Sequence, residues 1–294
     1  FEKFLIKEKI INSDIIQNIK DEILEEINSS LNDAFNEEQI QSNPESELND
    51  IYKPYDFKVI TPKTNKKTNK RLVDAISDSL FQSMKLYPRT VIMGQDIGDY
   101  GGVFKITDGF INEFGFERVR NTPICESAIV SAAMGLSING YKAIMEMQFA
   151  DFVSSGFNPI VNYLAKIFYR WNQNADVVIR MPTGAGVGAG PFHSQSNEAW
   201  FTHTPGLKVV YPAFPSDAKG LLAASIEDPN PVMFFEHKAL YRSIYEDVYD
   251  DYYTTDIGKS NLLREGDDVT IITYGAGVHW ALDVLDKNTQ ISAD

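Results

Sequence analysis

The 294-residue sequence predicts an α/β protein built on a doubly wound, mostly parallel sheet. Two observations carry that expectation. From Arg71 onward helical patterns alternate with short β-rich runs, the order that places helices between parallel strands. The β-rich runs are apolar throughout instead of alternating, as strands covered on both faces are. An α-helical tail precedes this region, and the start of a truncated second α/β domain follows it.

In residues 1–50, Ile15, Ile16, Ile19, Ile23, Leu24, Ile27 and Leu31 recur at helical spacing, with Asn12 or Ser13 as cap and Asp14 in the first turn. One amphipathic helix is predicted, in a segment with 13 acidic and 4 basic side chains. Residues 51–70 are rich in Lys and lack a hydrophobic period, so they read as a solvated linker. Residues 71–245 form the sheet domain. There "RLVDAISDSLFQSM", "ESAIVSAAMGLSIN", "GFNPIVNYLAKIFYRW" and "SDAKGLLAASI" read as helices, and "TVIMG", "KAIMEMQ", "DVVIRM", "LKVVYP" and "PVMFFEH" as strands. A tyrosine- and acid-rich connector covers 246–266. Within 267–294, "DVTIITYGAGVHWALDVL" reads as one strand and one helix, too little to enclose a core alone.

Bulk properties narrow the function. At 43% hydrophobic and 23% charged, the chain can bury a sizeable core. Charges or glycine interrupt every apolar run well short of a membrane-crossing length, and no signal peptide is visible. A net charge of -14 argues against nucleic acid as a partner, because phosphate contacts need a basic face. The single cysteine, Cys125, excludes an internal disulfide and suits a reducing compartment. Four scattered histidines give no zinc pattern.

Three stretches could carry chemistry. Glu126 in "TPICESAIVSAAMGLS" stands where a strand gives way to an apolar helix. A helix start favours an anion, so a cap is one reading. The neighbours Ile124, Cys125, Ala128 and Ile129 suggest another, an apolar setting for a carboxyl that shares a proton with a ring nitrogen. Gln148, Phe149 and Phe152 in "MEMQFADF" fall at a strand end, where parallel sheets bind ligands, although aromatics there also serve the core. "GAGVGAGPFHSQSN" satisfies G-x-G-x-x-A after a strand, but Pro191 and polar residues interrupt the helix a dinucleotide would need. It reads as a glycine turn or as a loop that delivers His193 to a site. His193 and His203 otherwise default to hydrogen-bonded histidines.

Taken in order, "TPICESAIVSAAMGLS", "MEMQFADF", "FHSQSNEAWFTHTPGLKVVYP", "DAKGLL" and "EDPNPVMFFEHKALYR" resemble the β chain of the decarboxylating first component of 2-oxo acid dehydrogenase complexes. These are thiamine-diphosphate enzymes of the transketolase-like superfamily, and the resemblance covers about residues 70–288. Residues 1–50 are similar to the acidic helical end of the family's α chain, which implies an internal piece of a fused α–β polypeptide. The resemblance implies that Glu126 binds the aminopyrimidine ring nitrogen of the cofactor and starts catalysis by proton sharing. It also implies that Gln148 and Phe152 line the pyrimidine pocket, and that His193 transfers a proton as the acyl group passes to lipoamide. Backbone oxygens of Ser225, Asp228 and Asn230 match the loop that holds a structural potassium ion in the family.

The superfamily's diphosphate–Mg2+ motif, Gly-Asp-Gly with a downstream Asn, is not in this sequence and in this family belongs to the α region. The resemblance therefore implies half a cofactor site and no activity for residues 1–294 alone. Implied partners are an α-type region or chain, a second β-type copy and the lipoyl domain of the acyltransferase core. The implied substrate is a small 2-oxo acid, branched-chain ahead of pyruvate, in the bacterial cytoplasm or the mitochondrial matrix. Transketolase, deoxyxylulose-phosphate synthase and a non-catalytic scaffold subunit are the alternatives.

Overall fold

The acidic N-terminal segment is helical in the computed structural model, which describes residues 1–294. Helix α1 is Glu2–Lys7, α2 is Ser13–Asn36 and α3 is Pro44–Asn49. Asn12 is the cap of α2, its side chain accepting from the Ile15 amide at 2.8 Å. Helix α2 buries none of its residues, so its apolar stripe is uncovered within this unit. Phe1–Glu47 form one compact unit and Leu48–Asp294 another.

In the larger unit, strand β1 (Lys67–Arg71) leads into α4 (Leu72–Leu86), β2 (Thr90–Gly94), α5 (Phe110–Phe114), β3 (Val119–Asn121), α6 (Glu126–Ile138) and β4 (Lys142–Glu146). Then come α7 (Ile167–Trp171), β5 (Val177–Thr183), α8 (Glu198–Thr202), β6 (Lys208–Val210), α9 (Pro215–Glu227), β7 (Val232–His237), β8 (Tyr245–Tyr249) and α10 (Ala276–Lys287). Six strands form a sheet in the order β3-β2-β4-β5-β7-β6, and every pairing is parallel. Alternate strand residues enter different cores. Met93, Met145, Ile179 and Phe235 share one with Ile129 and Val130 of α6. Ile92, Ile144, Val178 and Phe234 share the other with Ile76 and Leu80 of α4 and Leu222 of α9. Each such buried apolar side chain contributes about 1.5–3 kcal/mol, which is why the strands read as mostly apolar runs.

Three regions differ from the sequence expectation. Residues 51–70 are largely exposed, but they are anchored to the domain at several points. Tyr52 donates to the Leu207 carbonyl at 3.1 Å, the Lys53 amide donates to Asn230 Oδ1 at 2.8 Å, and β1 pairs antiparallel with β8. Charge complementarity explains what periodicity missed: Asn69 bonds Asp247 at 3.0 Å, Lys66 meets Asp250 at 3.0 Å, and Lys67 lies over the Tyr249 ring. The run 156–171 is a succession of 3-10, π and α turns, with Pro159 at its first π position. Proline removes a donor and crowds the preceding turn, which sets a break between the 3-10 turn ending at Gly156 and the π turn that Pro159 opens. In 267–294, α10 forms but the strand before it does not. The described residues offer that stretch a single bridge, Val269 to Ala293, and a strand needs a full neighbour.

The carboxylate of Glu227 gathers the edges of this unit. Tyr55 donates to it at 3.4 Å, Tyr87 at 2.8 Å and Tyr252 at 2.9 Å. Burial followed by Glu227 itself pushes the Tyr55 hydroxyl up to about 12. Glu227→Ala is expected to cost about 2 kcal/mol or more, since each bond to a charged acceptor is worth about 1.5–3 kcal/mol. Denaturant unfolding measures that loss, and limited proteolysis should now cut within residues 52–66. Wild-type resistance of the segment would show that the carboxylate does not hold it.

Candidate active site at the carboxyl ends of the strands

Parallel sheets bind ligands beyond the carboxyl ends of their strands. Glu126 is the first residue of α6, reached from β3 through the "TPIC" turn, and only 8% of it is exposed. Oε1 accepts from Gln95 Nε2 at 3.3 Å. A buried carboxylate at the start of a 13-residue helix, with one long hydrogen bond, keeps acceptor capacity for a further partner. Gln95 follows β2 directly. Its neighbour Asp96, held at φ 58°, accepts from Gln148 Nε2 at 2.9 Å. The Gln95–Asp96 dipeptide thereby ties Glu126 and Gln148 to one strand end.

Beside them is an aromatic cluster. Phe149 and Phe152 meet edge to face at 5.7 Å, and His193 stands edge-on to both, at 4.7 Å and 5.5 Å. Phe104 and Tyr241 extend the cluster away from His193. The structure thus joins Phe152 to His193 and Gln148 to the Glu126 strand end.

His193 closes a three-residue 3-10 turn, Pro191–His193, so the glycine stretch opens no helix for a phosphate. Its glycines all adopt left-handed backbone: Gly184 at φ 81°, Gly186 at 101°, Gly188 at 70° and Gly190 at 74°. At Gly184 a Cβ would sit 2.3 Å from His237 Nε2, whereas nothing crowds Gly188. Gly184→Ala is therefore expected to cost about 1–3 kcal/mol of backbone strain and to displace His237 as well. Gly188→Ala is the reference, with backbone strain alone. Thermal unfolding should rank Gly184→Ala clearly below it; equal melting would show that the contact yields freely.

Several polar groups here escaped the sequence reading. Arg180 of β5 is fully buried between Glu146 of β4, at 2.7 Å, and Glu236 of β7, at 2.8 Å and 2.9 Å. Lys238 and Asp151 are also buried. Burial lowers the Lys238 ammonium to about 8, with Asp151 opposing, and burial likewise lowers His237. For Arg180, Glu146 and Glu236 the available signal was a charge inside an apolar strand run, as in "KAIME", "VVIRMPT" and "VMFFEH".

The side chains of Ser225, Asp228 and Asn230 are all engaged by other protein groups, those of Asp228 and Asn230 partly by each other. Ser225 donates to the Leu221 carbonyl at 2.7 Å, and Asp228 Oδ1 accepts from the Asn230 amide and side chain, both at 2.9 Å. Asp228 also pairs with Lys208, whose ammonium already supplies a cation. Among the described residues no three His, Cys, Asp or Glu side chains converge as a metal site. Nor is any helix long and apolar enough to cross a membrane.

Fold and strand-end site together define a transketolase-type pyrimidine-binding domain: residues 57–243 match the family described as transketolase, pyrimidine binding domain. The solved structure of a split gene transketolase, an inactive beta4 tetramer, shares the fold with a TM-score of 0.60 at 23% identity, covering 76% of this chain and 69% of that one. The chain is 47% identical over 217 residues to the 2-oxoisovalerate dehydrogenase subunit beta of Bacillus subtilis, covering 73% of this chain and 66% of the relative. It is 43% identical over 218 residues to the pyruvate dehydrogenase E1 component subunit beta of Staphylococcus aureus, covering 74% and 67%. It belongs to the β-subunit family of the first component of 2-oxo acid dehydrogenases. The chain spans about two thirds of the length of these curated relatives.

Proposed function

We propose that the chain is the β-type part of a thiamine-diphosphate enzyme that decarboxylates a 2-oxo acid and passes the acyl group to a lipoyl group. The observation that carries this reading is Glu126, buried at the start of α6 with acceptor capacity to spare. Its second carboxyl oxygen is left to share a proton with an aminopyrimidine ring nitrogen, so these residues fit the cofactor. Thiamine diphosphate, when bound, supplies the electron sink for decarboxylation. With it bound, Glu126 would hold the shared proton, Gln148 and Phe152 would line the pyrimidine pocket, and His193 would move a proton as the acyl group leaves.

The diphosphate and its Mg2+ fall to an α-type region, in the same polypeptide or a separate chain, since the Gly-Asp-Gly motif that would hold the ion does not occur in residues 1–294. For a structural potassium ion the backbone oxygens of Ser225, Asp228 and Asn230 are the remaining ligands. A second β-type copy and a lipoyl domain complete the assembly. A branched-chain 2-oxo acid is the favoured substrate, supported by the 2-oxoisovalerate dehydrogenase relative, with pyruvate second. The bacterial relatives support a cytoplasmic setting.

The test is turnover of 2-oxoisovalerate and pyruvate by the complete protein with its α-type partner, thiamine diphosphate, Mg2+ and a lipoyl domain. 2-Oxoisovalerate should be decarboxylated faster, and reduced lipoyl groups should become acylated. His193→Ala is expected to lower lipoyl acylation by about 10²-fold or more, the scale of a lost acid–base group, and decarboxylation no more than that. Inertness toward both acids would reject the reading, and unchanged rates in His193→Ala would remove that residue from it.

A further inference from the structure

Beneath the glycine loop, buried polar atoms stand without partners. Asp151 is 7% exposed, His237 7% and Lys238 3%, yet Asp151 Oδ2, His237 Nδ1 and Lys238 Nζ make no hydrogen bond. Such groups are costly, and a charged one more so. Asp151 Oδ1, in contrast, is fully used. It accepts from the amides of Ser194 at 3.0 Å and Gln195 at 3.1 Å, the two residues directly after His193.

Lys238 lies at the end of β7, with its Nζ 5.4 Å from the centre of the Phe149 ring. His193 rests edge-on against that same ring at 4.7 Å. The carboxylate that acts on Lys238 through space is Asp151; His237 is its titratable neighbour, with His279 acting on His237 from α10. Both supports of His193, the backbone just after it through Asp151 and its ring through Phe149, therefore share one buried cation.

We infer that Lys238 is a positioning residue for His193: its ammonium balances the buried Asp151 carboxylate, and the balanced pair holds the 193–195 segment at the strand ends. What this positioning serves rests on the reading of His193 as a proton-transfer group. The coupling between Lys238 and the loop does not. Without the cation, Asp151 is an uncompensated buried charge that draws water under the loop. Without the carboxylate charge, Lys238 is in the same position. Removing both charges while keeping an acceptor oxygen should restore the loop, since Asn at 151 can still accept from the two amides.

The experiment is residue-resolved amide exchange on the complete protein, comparing Lys238→Met, Asp151→Asn, the double variant and Lys238→Arg. Each neutralising single change should speed exchange at Ser194 and Gln195 by about tenfold or more, the scale of a lost charge-assisted hydrogen bond. Amides of β5 should keep their protection. The double variant should return toward the wild-type rate, and Lys238→Arg should stay near it. Wild-type loop exchange in Lys238→Met, loosening in the double variant equal to the two singles added, or a rise spread evenly over β5 would each overturn the proposal. If Lys238→Met does not fold, the two charge-balanced variants decide. Both must fold and protect the loop, and failure of the double variant to fold would show that Lys238 supplies packing, not balance. A loosened loop with unchanged lipoyl acylation supports the coupling and overturns the reading of His193.

Discussion

Glu126→Gln, in the complete enzyme with thiamine diphosphate and Mg2+, is expected to slow deuterium exchange at the cofactor's thiazolium carbon by about 10²–10⁴-fold, the range that a positioned acid–base group supplies. The substitution keeps the shape and one acceptor oxygen but removes the group that shares a proton. Gln95 can still bond the new amide's oxygen, so α6 and the strand end should hold their geometry. Cofactor affinity should fall much less than exchange, because the anchoring of the diphosphate lies outside these residues in the proposed assembly. Exchange at the wild-type rate would remove Glu126 from the mechanism. A parallel collapse of affinity and exchange would instead make it a binding residue only.

Arg180→Met is expected to have the largest effect on stability. The guanidinium makes three bonds to Glu146 and Glu236, and Tyr241 donates to Glu236 at 2.6 Å. Removing it leaves carboxylates with no buried counter-charge, at a cost of about 3–5 kcal/mol. The cost should depend on pH. Burial raises the pKa of Glu146 while Arg180 opposes that rise, so loss of Arg180 leaves burial with less opposition. A carboxyl whose folded pKa lies above its unfolded value contributes stability at low pH and loses it as pH rises through the folded pKa. The deficit of Arg180→Met relative to wild type should thus widen from mildly acidic to neutral pH. Denaturant unfolding at both conditions checks this, and a deficit that shrinks toward neutrality would contradict the assignment. Because Tyr241 packs on Phe104 and Phe104 on Phe149, the same variant should also disturb the ring that supports His193.

Much of the sheet was legible because its rule is local. An apolar run such as "TVIMG" becomes a doubly covered strand wherever helices lie on both sides, and β2 is buried along its whole length. Glu126 stood out for a similar reason, as a lone carboxyl at a helix start among apolar neighbours. Strand β1 was not legible. "KTNKR" has no period, and its partner lies far along the chain in an acidic run that it meets through charge and backbone bonds. Lys238 and Asp151 were hidden differently. Each reads as an ordinary polar residue until the fold puts both under the glycine loop. The stretch 268–274 failed in the opposite sense, since its β pattern is strong but a strand exists only with neighbours to bond.

The β1–β8 ribbon brings the entrance and the exit of the six-stranded sheet to one place, with Arg71 opposite Tyr245 and Lys67 opposite Tyr249. All six strands lie between those two points in sequence. The sheet region is therefore a closed excursion of the chain through a single neck, with the geometry that tolerates insertion and transfer between contexts. Chain joined beyond the flanks that pack back on the sheet through Tyr52, Tyr55 and Tyr252 can be exchanged or fused without altering a strand crossing. Chain added there, at either end of the neck, leaves the crossings of the six strands, and with them the residues at the strand ends, where they are.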